Sequence, residues 1–306
     1  MATLANLTDE VLLNLEGFGA LQDTVAQVTV GSANVTTGYT DVTLTSPQIT
    51  SGSGITPSVI EVQDELMYVA NATFTASPAS LTCQVLRGWR GTTQATPSTP
   101  DHARLNPRFP RAAVKRAIND TIAGLYPRLF VIKTTEINYQ ANRATYDLPA
   151  DARNVIAVTV QHNPSSPDWS ASRYWRMDNQ GGSGSATGKV ISVRDGNPGR
   201  KIRVTYTAEP ATLPANSSDF AAISGLPDWV REVVVYGACW RLVSFADASN
   251  AFSTSAEQRL INDNQQGGQS KSQSLARYFL GMFETRLAEA EGRMQDLYPA
   301  PRHYIR

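Results

Sequence analysis

The chain has 306 residues, 41% of them hydrophobic and 18% charged, enough for a sizeable core and two or three domain-like units. Twenty-seven basic residues balance twenty-seven acidic ones, which argues against a protein whose main task is gripping nucleic acid, because that task needs surplus positive charge. Cys83 and Cys239 lack any CxxC or metal-like spacing, and the most apolar stretch, 229–246, carries Arg231, Glu232 and Arg241; the expectation is two buried thiols in a soluble protein made in a reducing cytoplasm, with no membrane span.

In chain order, Thr8 reads as the N-cap of a short helix over Asp9–Glu16, with Leu7 placed to staple onto Leu12. Residues Thr24 to Thr96 alternate apolar and polar side chains, as in Val28-Thr29-Val30, Val42-Thr43-Leu44 and Val59 to Val69, which is the pattern of antiparallel hairpins. A second helix starts at Pro110, whose missing N–H suits the first helical position, and runs to about Tyr126. Val114, Ile118, Ile122, Leu125 and Leu129 make its buried stripe. A second β-type region covers Phe130 to Pro210, with a Gly/Ser loop over Gly181 to Gly188. A third helix, from near Pro227 to about Ala246, is apolar over most of its girth and suits the centre of a bundle. After a polar link over Asn262 to Ser274, a fourth helix over about Ser274–Leu297 carries the seam Leu275, Phe279, Met282, Phe283, Leu287, Ala290, Met294 and Leu297.

The fold class this predicts is α+β: a small bundle of about four helices carrying two antiparallel β inserts. The divisions are an N-terminal helix (1–23), a small barrel- or sandwich-like β insert (24–103), a bundle helix (104–129), a second β-rich insert (130–212), the core bundle helices (213–297) and an extended tail (298–306). Each insert either closes a core of its own or completes it against a neighbouring subunit.

Catalytic signals are missing. His102, His162 and His303 sit in unrelated contexts, and Gly181 to Ser185 lacks the last glycine of a GxSxG elbow. There is no HExxH, phosphate loop or dinucleotide fingerprint, so no enzyme, cofactor or metal is expected. Two other features stand out. From Arg104 to Lys133 the chain carries Arg104, Arg108, Arg111, Lys115, Arg116 and Arg128 against one acid, Asp120. That is either a face for an acidic partner or DNA, or a solvated face offset by acids elsewhere. The C-terminus, Tyr298, Pro299, Ala300, Pro301, Arg302, His303, Tyr304, Ile305 and Arg306, is extended by its prolines and richer in aromatics than a disordered tail. It reads as a segment that docks into a groove, or else packs on its own domain.

Leu125-Tyr126-Pro127-Arg128-Leu129 after an amphipathic helix, Tyr146-Asp147-Leu148-Pro149-Ala150-Asp151 before a strand, and Leu226-Pro227-Asp228-Trp229 opening an apolar helix occur in an order that resembles the head-to-tail adaptor family of tailed phages. The stretch Ile60 to Val69 followed by Val85-Leu86-Arg87-Gly88-Trp89-Arg90-Gly91-Thr92 resembles a β module found in several classes of virion protein. Here Gly88 and Gly91 mark a tight turn or a bulge, and Glu65 and Arg87 lie where they could pair across a hairpin. The first resemblance implies a virion protein of the neck, assembled as a homo-oligomeric, twelve-fold ring beneath the portal protein. It would dock through residues 298–306, contact a downstream neck or tail-completion protein, and let double-stranded DNA pass without specific binding. The alternatives are another tail, neck or baseplate structural protein, or a host-glycan-binding neck module.

Overall fold

The computed structural model describes residues 2–16, 24–33, 38–45, 58–76, 79–96, 101–163, 168–181, 185–196, 198–253 and 271–297. The chain divides into two compact units. One comprises Thr3–Asp120 and Val234–Phe283; the other comprises Met1–Ala2, Thr121–Val233 and Glu284–Arg306.

The first unit is built on six strands: β1 (Thr24–Ala33), β2 (Thr40–Thr45), β3 (Val59–Val62), β4 (Glu65–Ala76), β5 (Ala79–Leu86) and β6 (Asp101–Leu105). They pair in the order β1-β2-β5-β4-β3-β6, and β6 pairs back onto β1, so the sheet is a closed barrel with every pairing antiparallel. Alternation sends Val42, Leu44, Ile60, Met67, Cys83 and Val85 inward, where all are fully buried. On β2 the outward neighbours Asp41, Thr43 and Thr45 are polar, and Thr43 and Thr82 share a hydrogen bond of 3.2 Å across β2 and β5. Between Val69 and Asn71 the register of β4 slips by one residue against β5, a bulge that helps a short sheet curl.

Helix α1 (Leu4–Glu16) belongs to this unit. It begins five residues earlier than the cap pattern suggests, at Leu4 instead of Asp9. Thr8 is inside the helix and buried, and its hydroxyl donates to the Leu4 carbonyl at 2.8 Å instead of capping an N–H. Leu4, Leu7, Val11 and Leu12 form the buried stripe. The unit also holds Arg111–Asp120 of α2 (Arg111–Gly124) and parts of two longer helices, where Trp240 stacks on Phe283 with centroids 6.2 Å apart.

The second unit contains two sheets. One has β7 (Val131–Asn138), β9 (Ala152–Gln161), β10 (Trp169–Ala171) and β13 (Lys201–Ala208) in the order β10-β9-β13-β7. The other has β8 (Thr145–Asp147), β11 (Trp175–Asp178) and β12 (Val190–Val193) in the order β11-β12-β8. Tyr146 and Ile191 from the small sheet and Val158, Ile202, Val204 and Tyr206 from the large one share a single apolar core. At one end of the Gly/Ser loop, the Gly181 N–H donates to the Gly188 carbonyl at 2.8 Å.

After β13 comes a short helix that periodicity did not reveal, α3 (Phe220–Ser224). Asp219 caps it by accepting from the Ala222 N–H at 2.9 Å, and Gly225 ends it at φ +73°. A side chain at position 225 would be both strained and 2.7 Å from Val131 Cγ1. A 3₁₀ turn over Asp228–Val230 leads into α4 (Arg231–Ser253), and the last described helix is α5 (Lys271–Leu297).

The expected α+β architecture, a four-helix bundle carrying two β inserts, is therefore wrong. Among the described residues thirteen strands in three sheets dominate, beside five α-helices. The error has a physical cause. Helical periodicity is the loudest local signal, but a curled sheet buries its own apolar face. No helical bundle is needed to cover it. Most of the polar link at 262–274 lies outside the described residues.

Candidate functional site

Of the six cationic residues singled out between 104 and 128, four are paired with carboxylates. At the end of β6, Arg104 donates from Nη1 to Glu61 at 3.0 Å and from Nη2 to Glu16 at 2.9 Å. Arg111, the first residue of α2, donates its backbone N–H to Glu61 Oε1 and its Nη2 to Asp9 Oδ1, both at 2.6 Å. One turn on, Lys115 is paired with Asp64. In the other unit Arg128 is paired with Glu291 of α5. The two remaining cations are exposed: Arg108, whose guanidinium lies 5.4 Å from the Phe109 ring centroid, and Arg116. The basic run is thus largely neutralised by acids distant in the chain.

Glu61 is the centre of this network. It points outward from β3 and yet is only 1% exposed. Burial raises its carboxyl above the usual carboxylate range, against the opposing pull of the Arg111 N–H and the Arg104 guanidinium. A buried carboxylate with two cationic partners ties β3, β6 and the start of α2 together.

The second constellation surrounds Glu65, the first residue of β4, whose side chain is fully buried. Its Oε1 accepts from Arg87 Nε at 3.0 Å and from the Gly88 N–H at 2.9 Å; its Oε2 accepts from the Ala95 N–H at 2.8 Å and from Arg87 Nη2. Arg87 donates onward to the Ala95 carbonyl. Thr92 Oγ1 accepts from the Leu66 N–H at 3.0 Å, and the Thr92 N–H donates to the Trp89 carbonyl at 3.3 Å. One carboxylate thereby fastens both sides of the 3₁₀ turn Trp89–Gly91. Within that turn Gly88, Arg90 and Gly91 have φ of 65°, 56° and 79°. Two of these are glycines, for which the left-handed region costs little; Arg90 is not.

Beside the turn, the Tyr68 and Trp89 rings lie 5.0 Å apart with planes inclined by 33°. Nothing local in the sequence says that these two meet, because one is a strand residue and the other a turn residue on the outside of a barrel.

In the second unit, a cavity of about 390 Å³ lies between the start of α4 and the latter half of α5. Arg231, Arg286 and Arg293 face Asp228, Glu232 and Glu289 around it, so it has no net charge to select an ion. Among the described residues no group of three or more His, Cys, Asp or Glu side chains is placed to hold a metal. Burial pushes the Cys83 thiol up to about 11 and the Cys239 thiol up to about 12, which leaves both protonated and unreactive. No helix among the described residues is long and apolar enough to cross a membrane. Residues Tyr298 to Arg306, singled out for docking, lie outside the described residues.

These features define a class of protein, a β-rich scaffold whose conspicuous charged groups are spent on internal ties. A family model for the SU10 adaptor protein matches residues 93–302, about two-thirds of the chain, and the chain belongs to that family. It is a phage adaptor-type protein. No curated protein matches it.

Proposed function

We propose that this chain is the head-to-tail adaptor of a tailed-phage virion, docked beneath the portal ring and extending the DNA channel toward the tail. The observation that carries the proposal is the family match over residues 93–302, which spans β6, all of the second unit's strands, and α2 to α5. In this reading copies of the chain form a ring, twelve-fold to match the portal, and many weak contacts add up through multivalency. A downstream neck or tail-completion protein binds the opposite side. No chemical step is assigned to the chain.

The charge distribution suits such a role. A bore that lets DNA slide must not hold phosphates. Equal numbers of basic and acidic residues, with Arg104, Arg111, Lys115 and Arg128 in ion pairs, keep phosphate affinity low. Arg108 and Arg116, exposed on the surface, remain the two members of that run best placed for an acidic partner.

Portal docking is assigned to Tyr298, Pro299, Pro301, Arg302, His303, Tyr304, Ile305 and Arg306. The prolines lower the entropy lost when an extended segment is immobilised, and the aromatic and cationic side chains are those enriched at binding hot spots. Deleting residues 298–306 is expected to leave a folded protein that purified portal rings no longer retain in a pull-down. Retention of the truncated chain would refute the tail assignment. Antibody labelling of intact virions tests the wider reading: label at the tail tip or on the capsid, and not at the neck, would overturn it.

A further inference from the structure

We infer that the outside of the β barrel carries a carbohydrate-binding platform formed by Tyr68, Leu86 and Trp89. It lies before residue 93, where the family match begins, so it does not rest on the adaptor reading. Tyr68 on β4 stands opposite Leu86 on β5 in the register, and both side chains are 39% exposed. Trp89 extends the rung, its ring 5.0 Å from that of Tyr68. The next outward rung is a pair of exposed amides, Asn71 opposite Gln84, and the one after it is Thr73 opposite Thr82. An apolar strip is therefore bordered by neutral hydrogen-bonding groups.

Two further observations make this a built surface. The turn that presents Trp89 is held by the fully buried Glu65 carboxylate, which accepts from Arg87, Gly88 and Ala95. It also keeps Arg90 exposed in a left-handed conformation that a non-glycine residue rarely adopts. Strain of this kind persists where the surroundings over-determine it and clusters at binding sites. A rigid aromatic presented this way loses little entropy when something stacks on it.

Size and chemistry select the ligand. Tyr68 and Leu86, each 39% exposed, together with the half-buried Trp89 leave on the order of 200 Å² exposed, far below the roughly 800 Å² per partner of a stable protein interface. That area matches one face of one or two pyranose rings, whose C–H bonds stack on aromatic faces while their hydroxyls reach the Asn71 and Gln84 amides and the Arg90 guanidinium. The ligand class is a hexopyranose glycan.

The test uses the full chain titrated with chitohexaose, cellohexaose and maltohexaose, followed by tryptophan emission and calorimetry. Millimolar or tighter binding to at least one sugar is expected, weakened at least about tenfold by Trp89→Ala and by Tyr68→Ser. Tyr68 is an exposed strand position, so its variant tests the platform even if the turn variant fails to fold. No binding to any of the three sugars, or binding that survives either substitution in a folded protein, overturns the inference. Portal retention by the same variants should be unchanged, which separates failure here from failure of the adaptor reading.

Discussion

The two units solve the problem of sheet edges differently. In the barrel, pairing of β6 with β1 leaves no strand without two neighbours. In the second unit both sheets are open: β10 and β7 are the edges of one, β11 and β8 of the other. A closed sheet completes its own hydrogen bonds and keeps its core, whereas open edges are surfaces on which another chain can pair. The polar anchors differ in the same sense. Glu61 and Glu65 of the barrel are buried and multiply bonded. Glu136 and Asp151 of the second unit lie near solvent, each holding lysine or arginine at the surface. Among the described residues the barrel keeps its anchors inside, and the open unit carries its anchors at the surface.

The sharpest way to break this contrast is to remove Glu65. Glu65→Ala leaves the largely buried Arg87 guanidinium and two backbone N–H groups without their acceptor. We expect a loss of about 3–5 kcal/mol in denaturant unfolding of the barrel unit. Glu136→Ala, at a pair near solvent, should move the unfolding midpoint far less. Equal effects would show that burial does not set the value of these ties.

Next in size are cavity mutants. Leu44→Ala inside the barrel and Ile202→Ala in the second unit's core each remove a fully buried side chain. Each is expected to cost about 2–5 kcal/mol. Two separate transitions, each moved by only its own mutant, would sharpen the division into units; a single shared transition would break it. Gly225→Ala should cost about 1 kcal/mol or more, because φ is +73° and the added carbon meets Val131; its melting temperature checks this.

The smallest expected effects concern pH, and they have opposite signs. Burial raises the Glu61 carboxyl above its ordinary value of 4.5, so the folded state binds that proton more tightly than the unfolded state. Its contribution is fully present below 4.5 and is lost as pH rises through the higher folded value. Lys133 lowers the Asp151 carboxyl from 3.8, so that contribution is present above 3.8 and is lost as pH falls through the lower folded value. Glu61→Gln should flatten the stability profile just above pH 4.5, and Lys133→Met should flatten it just below pH 3.8, measured by urea unfolding across that range.

Much of the local structure was legible in the residues. The period-two pattern of Val42-Thr43-Leu44 assigns inward and outward sides correctly, because side chains in a strand alternate whatever lies beyond it. The stripe Val114, Ile118 and Ile122 marks the buried side of α2 for a similar reason. Gly88 and Gly91 do lie in a turn with positive φ. The balance of architecture was not legible. Four helices with strong periodicity suggested a bundle, while short strands with weaker signals turned out to carry the cores. The charged run at 104–128 was equally ambiguous, since Arg104 finds Glu16 across 88 positions and Arg111 finds Glu61 across 50.

What the chain's sequence determined alone is therefore short-range: which stretches are strands or helices, which of their sides are apolar, where turns fall, and that total charge is zero. Closure of the barrel, pairing of the basic run with distant acids, and the meeting of Tyr68 with Trp89 were decided only by tertiary structure. Side-chain periodicity is a property of a few consecutive residues, whereas strand order and ion-pair partners depend on contacts between segments far apart in the chain, and no local pattern encodes those.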